Sequence, residues 1–485
     1  MPRLTILLYL ITLSSCSLCS AQSDQPKQRI KFSAQEVRGD FEYFYKTLEQ
    51  THYNLYVNTR KEVFEKQYEK IYSSITDSLT LIQISRLFQP FAALSNLAHC
   101  SMGFPWGLYF EKDNQRSATL FPFNVTILNN RAFITDNYSS DRFIQKGDEI
   151  LSIDSIPIDA KLKEMYDFLS GEGIDMKNSL IDILTFPRTY WWIYGNRNQH
   201  VLKVRRKEGE IKSIIIKSIH PFDYEQKASK KKSVFSVNRE FKFIDSIAYL
   251  HPGVFINNQS NGNTSEHKTF ETNEFISFID SSYREMHKVK PKNLIIDLRG
   301  NPGGDNSFSD PMIAYFATSP FWYCSEFSVK TSSITKQFWR DVKDSSLQDL
   351  KTQILTKKDG EIFKVLFQNN SPRTDSLRFE GRVYVLIDRY SYSNAVSVAA
   401  IVQDYSFGLI IGEPTADVAS SYGATHEFKL PNSQLSVSYP KAFIVRPNGD
   451  RSLKGVTPDV NIVDNPFTET DEILDFCIKY INERK

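Results

Sequence analysis

Three short runs in the second half of the chain, Asn293–Leu298, Val383–Ile387 and Leu409–Ile411, are almost continuously apolar. Strands exposed on one face alternate apolar with polar residues. Runs that do not alternate are expected where both faces are covered, as in a parallel sheet sandwiched by helices. Helical patterns supply that cover at Phe270–His287, Ser309–Ala317 and Ala395–Gln403. The chain beyond about Glu240 is therefore expected to fold as an α/β core. The polar, lysine-rich residues 334–380 are expected to be an excursion from it.

Two further units precede this core. Ser33 and Glu36 have the spacing of a capping box, Phe32 can staple onto Val37, and Val37, Phe41, Phe44 and Leu48 recur at helical spacing. With helical stretches near Lys61–Ser74 and Leu79–Leu94, residues 30–105 read as a small helical domain. Residues 106–222 carry short β-like runs such as Phe123–Ile127, Ala132–Thr135 and Val201–Val204. Their aromatic segment Tyr190–Tyr194 suits a core, or the lining of a groove. Pro221 to Arg239 reads as a linker, and residues 466–485 as a closing helix.

A chain of 485 residues can hold several domains, and 59 basic against 57 acidic residues give it no broad attraction for nucleic acid or anionic lipid. The sequence contains no His-Glu-x-x-His, Walker or Gly-x-Gly-x-x-Gly pattern, so neither a metal nor another cofactor is expected. Met1-Pro2-Arg3 followed by the apolar run Leu4–Leu13 has the form of an export signal over residues 1–21, too short to span a bilayer. Cleavage before Gln22 would release the chain; the lipobox-like Leu13-Ser14-Ser15-Cys16 would instead leave a lipid anchor on Cys16. Either route predicts a periplasmic, outer-membrane lipoprotein or secreted location. Cys100, Cys324 and Cys477 would remain, enough for one bridge at most.

Two segments carry chemistry. In Asp297-Leu-Arg-Gly-Asn-Pro-Gly-Gly304 an apolar run ends in a glycine-rich loop, whose backbone can turn several amide N–H groups toward one point. In Val385–Ala395 another runs through Ser391 and Ser393 into a helix of small residues. A serine at such a junction can either cap the helix or present its hydroxyl as a nucleophile.

These segments, followed by Val402-Gln-Asp-Tyr405, Ile411-Gly-Glu-Pro-Thr415 and Gly455-Val-Thr-Pro-Asp459, occur in the order found in the C-terminal processing (tail-specific) serine peptidases and the related tricorn proteases. The resemblance spans about Glu240 to Val463 and extends more weakly to Gly147-Asp148, which is similar to the family's PDZ domain. It implies a multidomain α+β chain: an N-terminal helical domain, a PDZ-like β domain and a ClpP/crotonase-like serine peptidase core over residues 240–465. No clear Gly-Leu-Gly-Phe-like carboxylate loop accompanies the PDZ-like stretch, which suits a scaffold as well as a peptide binder.

Residue by residue, the resemblance implies Ser393, not Ser391, as nucleophile, with the amides of Asn394 and Gly303 as the oxyanion hole. The tail-specific branch uses a lysine base, but that position is Val418 here, and no lysine lies between Val402 and Phe428. The tricorn-like branch takes a histidine from far upstream, a position that His99 in Leu97-Ala-His-Cys100 fits; His426 is the rival. The acid that orients the histidine falls at Ser452 in that pattern, with Asp450 two residues earlier. The expected function is a serine endopeptidase acting on peptides or unfolded protein segments. The alternative is a catalytically inactive peptide- or ligand-binding protein on the same scaffold.

Overall fold

The computed structural model describes residues 31–110, 118–231, 233–257, 271–342 and 348–484; the export segment and Cys16 lie outside the described residues. The three apolar runs occupy the centre of a six-stranded sheet, in the order Val460–Asn461, Leu409–Gly412, Arg382–Ile387, Asn293–Asp297, Ile247–His251, Glu240–Ile244. Pairing is parallel as far as Ile247–His251, with Ile296 opposite Val385 and Leu250, and a hairpin adds the last strand antiparallel. Helices Asn273–Val289, Asn306–Ile313 and Asn394–Asp404 pack on one face through Phe275, Ile279, Phe308 and Ile401, and helix Glu472–Asn482 covers the other with Ile473, Cys477 and Ile481. Burial of both faces is the physical reason the runs lack alternation.

A second sheet completes the core. Its long strand Ser436–Val445 pairs with Ser421–Lys429, Glu326–Lys330 and the short Ser101–Met102. Ser101 and Met102 lie opposite Ser438 and Val437, so the chain leaving the helical domain is stitched into the core two residues after His99. The lysine-rich excursion is ordered where described: helices Ser333–Asp341 and Gln348–Thr356 and a strand, Ile362–Lys364, paired on Glu326–Lys330.

The helical domain forms as its sequence dictates. Ser33 caps helix Ala34–Thr51 in a reciprocal capping box with Glu36, and Phe41 and Phe44 pack against Phe88 and Phe91 of helix Leu81–Ala93. The β domain is an antiparallel sheet of Phe123–Leu128, Arg131–Asn137, Glu149–Ile153, Gln199–Arg205 and Ile211–Lys217, with the two-residue strand Ile156–Pro157. It also holds three helices absent from the sequence reading, Ile158–Phe168, Ile174–Leu184 and Phe186–Tyr194. The aromatic segment lies in the last of these and is core: Trp192 donates its indole N–H to Ser85 at 2.8 Å, and Arg86 bonds the carbonyls of Trp191 and Trp192, locking the helical and β domains together. The segment read as a linker begins with another helix, Pro221–Ala228, capped by His220. Cys100, Cys324 and Cys477 are separate buried thiols. No described helix is long and apolar enough to cross a membrane.

Candidate active site

Strand Arg382–Ile387 delivers the chain through a tight turn to Ser393, the residue before helix Asn394–Asp404. Ser391 is wholly buried in that turn, donating to the Leu298 carbonyl at 2.8 Å and accepting the Asp388 amide at 3.1 Å; its hydroxyl is committed to structure. Ser393 differs. Its backbone is left-handed, φ 54° and ψ −121°, and its hydroxyl caps nothing although it occupies the N-cap position. A non-glycine residue held there stores about 1–3 kcal/mol of strain. The surroundings hold it: the Tyr392 amide bonds the Asn301 carbonyl at 2.9 Å, and the Ser393 amide donates to Asp417 Oδ2 at 2.6 Å. The hydroxyl is thereby turned off the helix axis into a cleft.

His99 lines the same cleft. It sits in a turn closed by Cys100 N–H on the Leu97 carbonyl, and its ring stacks on Tyr392 at 5.2 Å between centroids. Burial holds its pKa below the usual 6.5, an effect partly offset by the charge of Asp417. Nδ1 is buried with no hydrogen-bond partner. His426 lies elsewhere, packed against Phe338 and Tyr439 and held far below its usual range by burial and by Lys441.

The glycine-rich loop closes the other side, but one position later than the sequence suggests. Gly303 donates its amide to Asn301 Oδ1 at 2.8 Å, so this N–H is spent inside the loop. Gly304 lines the cleft beside Ser393 and Asn394, and neither its amide nor that of Asn394 has a hydrogen-bond acceptor among the described residues. Gly303 is instead what lets the loop approach: its φ is 88°, and a Cβ would lie 2.7 Å from the Asn394 nitrogen and 2.8 Å from Ser393 Cβ. The cleft is narrow, with about 20 Å³ free, roughly the space of one water, and continues past Ser421, Gly423 and Ala424 of the second sheet.

Asp450 and Ser452 are not brought to His99. They form their own turn at the surface, Ser452 donating its amide and hydroxyl to the Asp450 carboxylate at 2.9 and 2.8 Å, while Ser420 bonds the Asp450 carbonyl. The acids near His99 are two that the sequence reading missed. Asp417 takes the Ser393 and Val418 amides; burial pushes its carboxyl up, against the opposing pull of His99. Glu172, from the β domain, accepts the Ala98 amide at 3.1 Å, and burial with the Asp417 charge beside it pushes its carboxyl up to about 8. Asp417 immediately precedes Val418, the position that marks the missing lysine, and that adjacency is a signal the sequence offers. Nothing in the sequence links Glu172 to His99. Among the described residues no cluster of side chains could hold a metal ion.

A strained serine at a strand-to-helix turn, an imidazole in the same cleft and two unengaged amides beside them are the parts that serine-hydrolase chemistry requires. Residues 267–462 match peptidase family S41 and residues 117–227 match a PDZ domain. Residues 267–462 are thus similar to an S41 serine-peptidase domain, and the stretch before them to a PDZ domain. An 89-residue stretch is 37% identical to a tail-specific protease of Haemophilus influenzae, covering 17% of this chain and 13% of that protein. In fold, the chain is similar to mature CPAF complexed with lactacystin, with TM-score 0.63 and 15% identity over 93% of this chain and 97% of that one. A crystal structure of mature CPAF gives TM-score 0.60 at 14% identity, covering 93% and 96% of the two chains.

Proposed function

We propose that this protein is a serine endopeptidase that cleaves peptides or unfolded protein segments outside the cytoplasm. Ser393 attacks the scissile carbonyl. His99 takes the hydroxyl proton on Nε2 and returns it to the leaving amine. The amides of Asn394 and Gly304 hold the oxyanion, helped by the positive end of helix Asn394–Asp404. A cleft this narrow shuts out a folded surface, which favours peptides and unfolded segments as substrates. The export signal in residues 1–21 motivates the location, and fractionation of cells for the full chain tests it.

The observation that carries this reading is the meeting of Ser393, with its uncommitted hydroxyl, and His99 in one cleft, although the two lie in different domains of the sequence. The test is hydrolysis of fluorescently labelled, unfolded casein. Ser393→Ala should lower turnover on the order of 10⁴–10⁶ without changing the melting temperature by more than a few degrees. Undiminished turnover in that variant rejects the assignment. Absence of turnover in the unaltered protein, with tight binding of the same chains, would favour the ligand-binding alternative.

A further inference from the structure

The Ser393–His99 pair raises a question of tautomer. If Nε2 is to accept the serine proton, Nδ1 must carry its own, and a buried N–H calls for an acceptor. In the structure Nδ1 of His99 is buried and unpartnered. Both oxygens of Asp417 already receive backbone amides. Glu172 is different: Oε2 receives the Ala98 amide, while Oε1 is buried with no partner. A buried ring nitrogen without a partner thus belongs to His99, and a buried carboxyl oxygen without a partner to the residue that binds the amide of the preceding Ala98. Tyr392, stacked on His99, feels the charges of both Asp417 and Glu172.

Resting on the peptidase reading above, we propose that Glu172 is the positioning residue that accepts the hydrogen bond of His99 Nδ1–H, so that the base is complete only when the β domain is docked. The two atoms are not bonded in this structure; such contacts commonly tighten only once substrate is bound. The surrounding loop is built to hold the approach. Ser170 Oγ donates to the Leu97 carbonyl at 2.7 Å, receives the Leu97 amide at 3.3 Å and pairs with Ser95 Oγ at 3.2 Å. Gln89 bonds the Phe168 carbonyl at 2.9 Å and Lys177 bonds Asn96 Oδ1 at 3.1 Å. Burial pushes both the Glu172 and the Asp417 carboxyls up, the Asp417 charge adding to the rise at Glu172, while His99 pulls Asp417 the other way.

Glu172→Gln tests the proposal. The amide oxygen of Gln can keep the Ala98 bond, which puts an NH₂ donor in place of the Oε1 acceptor proposed for Nδ1–H. That favours the tautomer with the proton on Nε2, which cannot act as base. With labelled casein, kcat should fall on the order of 10²–10⁴ while KM stays within about threefold. The ¹⁵N spectrum of selectively labelled histidine should show His99 moving from the Nδ1–H to the Nε2–H form. A residue that merely braces the loop would leave both readouts unchanged, because the Ala98 bond survives. Should the variant fail to fold, the unaltered protein still decides: a His99 with bare Nδ1 overturns the proposal. Ser393→Ala, run alongside, separates the two claims. An inactive Ser393→Ala with a fully active Glu172→Gln refutes only the role of Glu172, whereas an active Ser393→Ala refutes the peptidase reading itself.

Discussion

Gly303 is where backbone geometry and chemistry meet most closely, and replacing it with alanine gives a sharp expectation. The new Cβ would lie 2.6 Å from the Tyr392 carbonyl oxygen, 2.7 Å from the Asn394 nitrogen and 2.8 Å from Ser393 Cβ. Two of these are backbone atoms of the nucleophile turn, so relief must come from the loop backing away. A left-handed φ costs a non-glycine residue roughly 1–2 kcal/mol, and forcing atoms into a packed site roughly 1–3 more, for a total of about 2–5 kcal/mol. The kinetic effect follows from displacement. A shift of about 1 Å of the Gly304 amide relative to Ser393 costs on the order of 10² in kcat. Casein hydrolysis and thermal unfolding measured together read both effects. Gly360→Ala is the control: it has φ 83° and open space at Cβ, so it carries similar backbone strain without touching the site. Its kcat should be unchanged. A folded Gly303→Ala protein with unaltered kcat would refute the argument that this glycine sets the distance between the loop and the nucleophile.

Other expectations follow from the same geometry. Because burial holds His99 below 6.5, its neutral, basic form persists into mildly acidic solution, and the acid limb of the kcat/KM profile should lie below pH 6.5; a limb well above 7 contradicts this. Ser391→Ala leaves the Asp388 amide unpaired and takes from the Leu298 carbonyl one of its two donors, the other being the Asn301 amide; it should cost about 1–3 kcal/mol of stability while sparing kcat, the reverse of Ser393→Ala. Lys441 is buried with its ammonium on the Ala424 carbonyl, and burial pushes its pKa down to about 7. Between pH 7 and 10.5 the unfolded chain binds a proton that the folded one does not, so this residue makes stability rise with pH. Lys441→Met should therefore raise the melting temperature more at pH 6.5 than at pH 9, and an equal gain at both would exclude a buried charge.

What the sequence made legible is what local physics controls. Apolar runs without alternation marked the central strands, and the Ser33–Glu36 box marked where the first helix starts. The three helices of the β domain escaped notice because Ile158–Phe168 and its neighbours are short and draw their stability from packing on the sheet and on the helical domain rather than from strong local signals. Ordered motifs singled out Ser393 and an upstream position singled out His99, and the structure sets both on one cleft. The Gly303 amide, expected to be free, is spent on Asn301 Oδ1, because that side chain alone decides which loop amide is used internally. Asp450 and Ser452 were chosen by spacing, yet their turn satisfies itself at the surface and leaves His99 to acids from other segments. Those acids come together only through domain packing, which no local pattern encodes.

The most direct measurement is the site and rate of covalent capture by a fluorophosphonate. Mass spectrometry of the labelled protein should find the phosphonyl group on Ser393. The capture rate should rise with pH along the titration of His99 and collapse in His99→Ala. Modification of another serine, or capture at an unaltered rate without His99, would contradict the account at its centre.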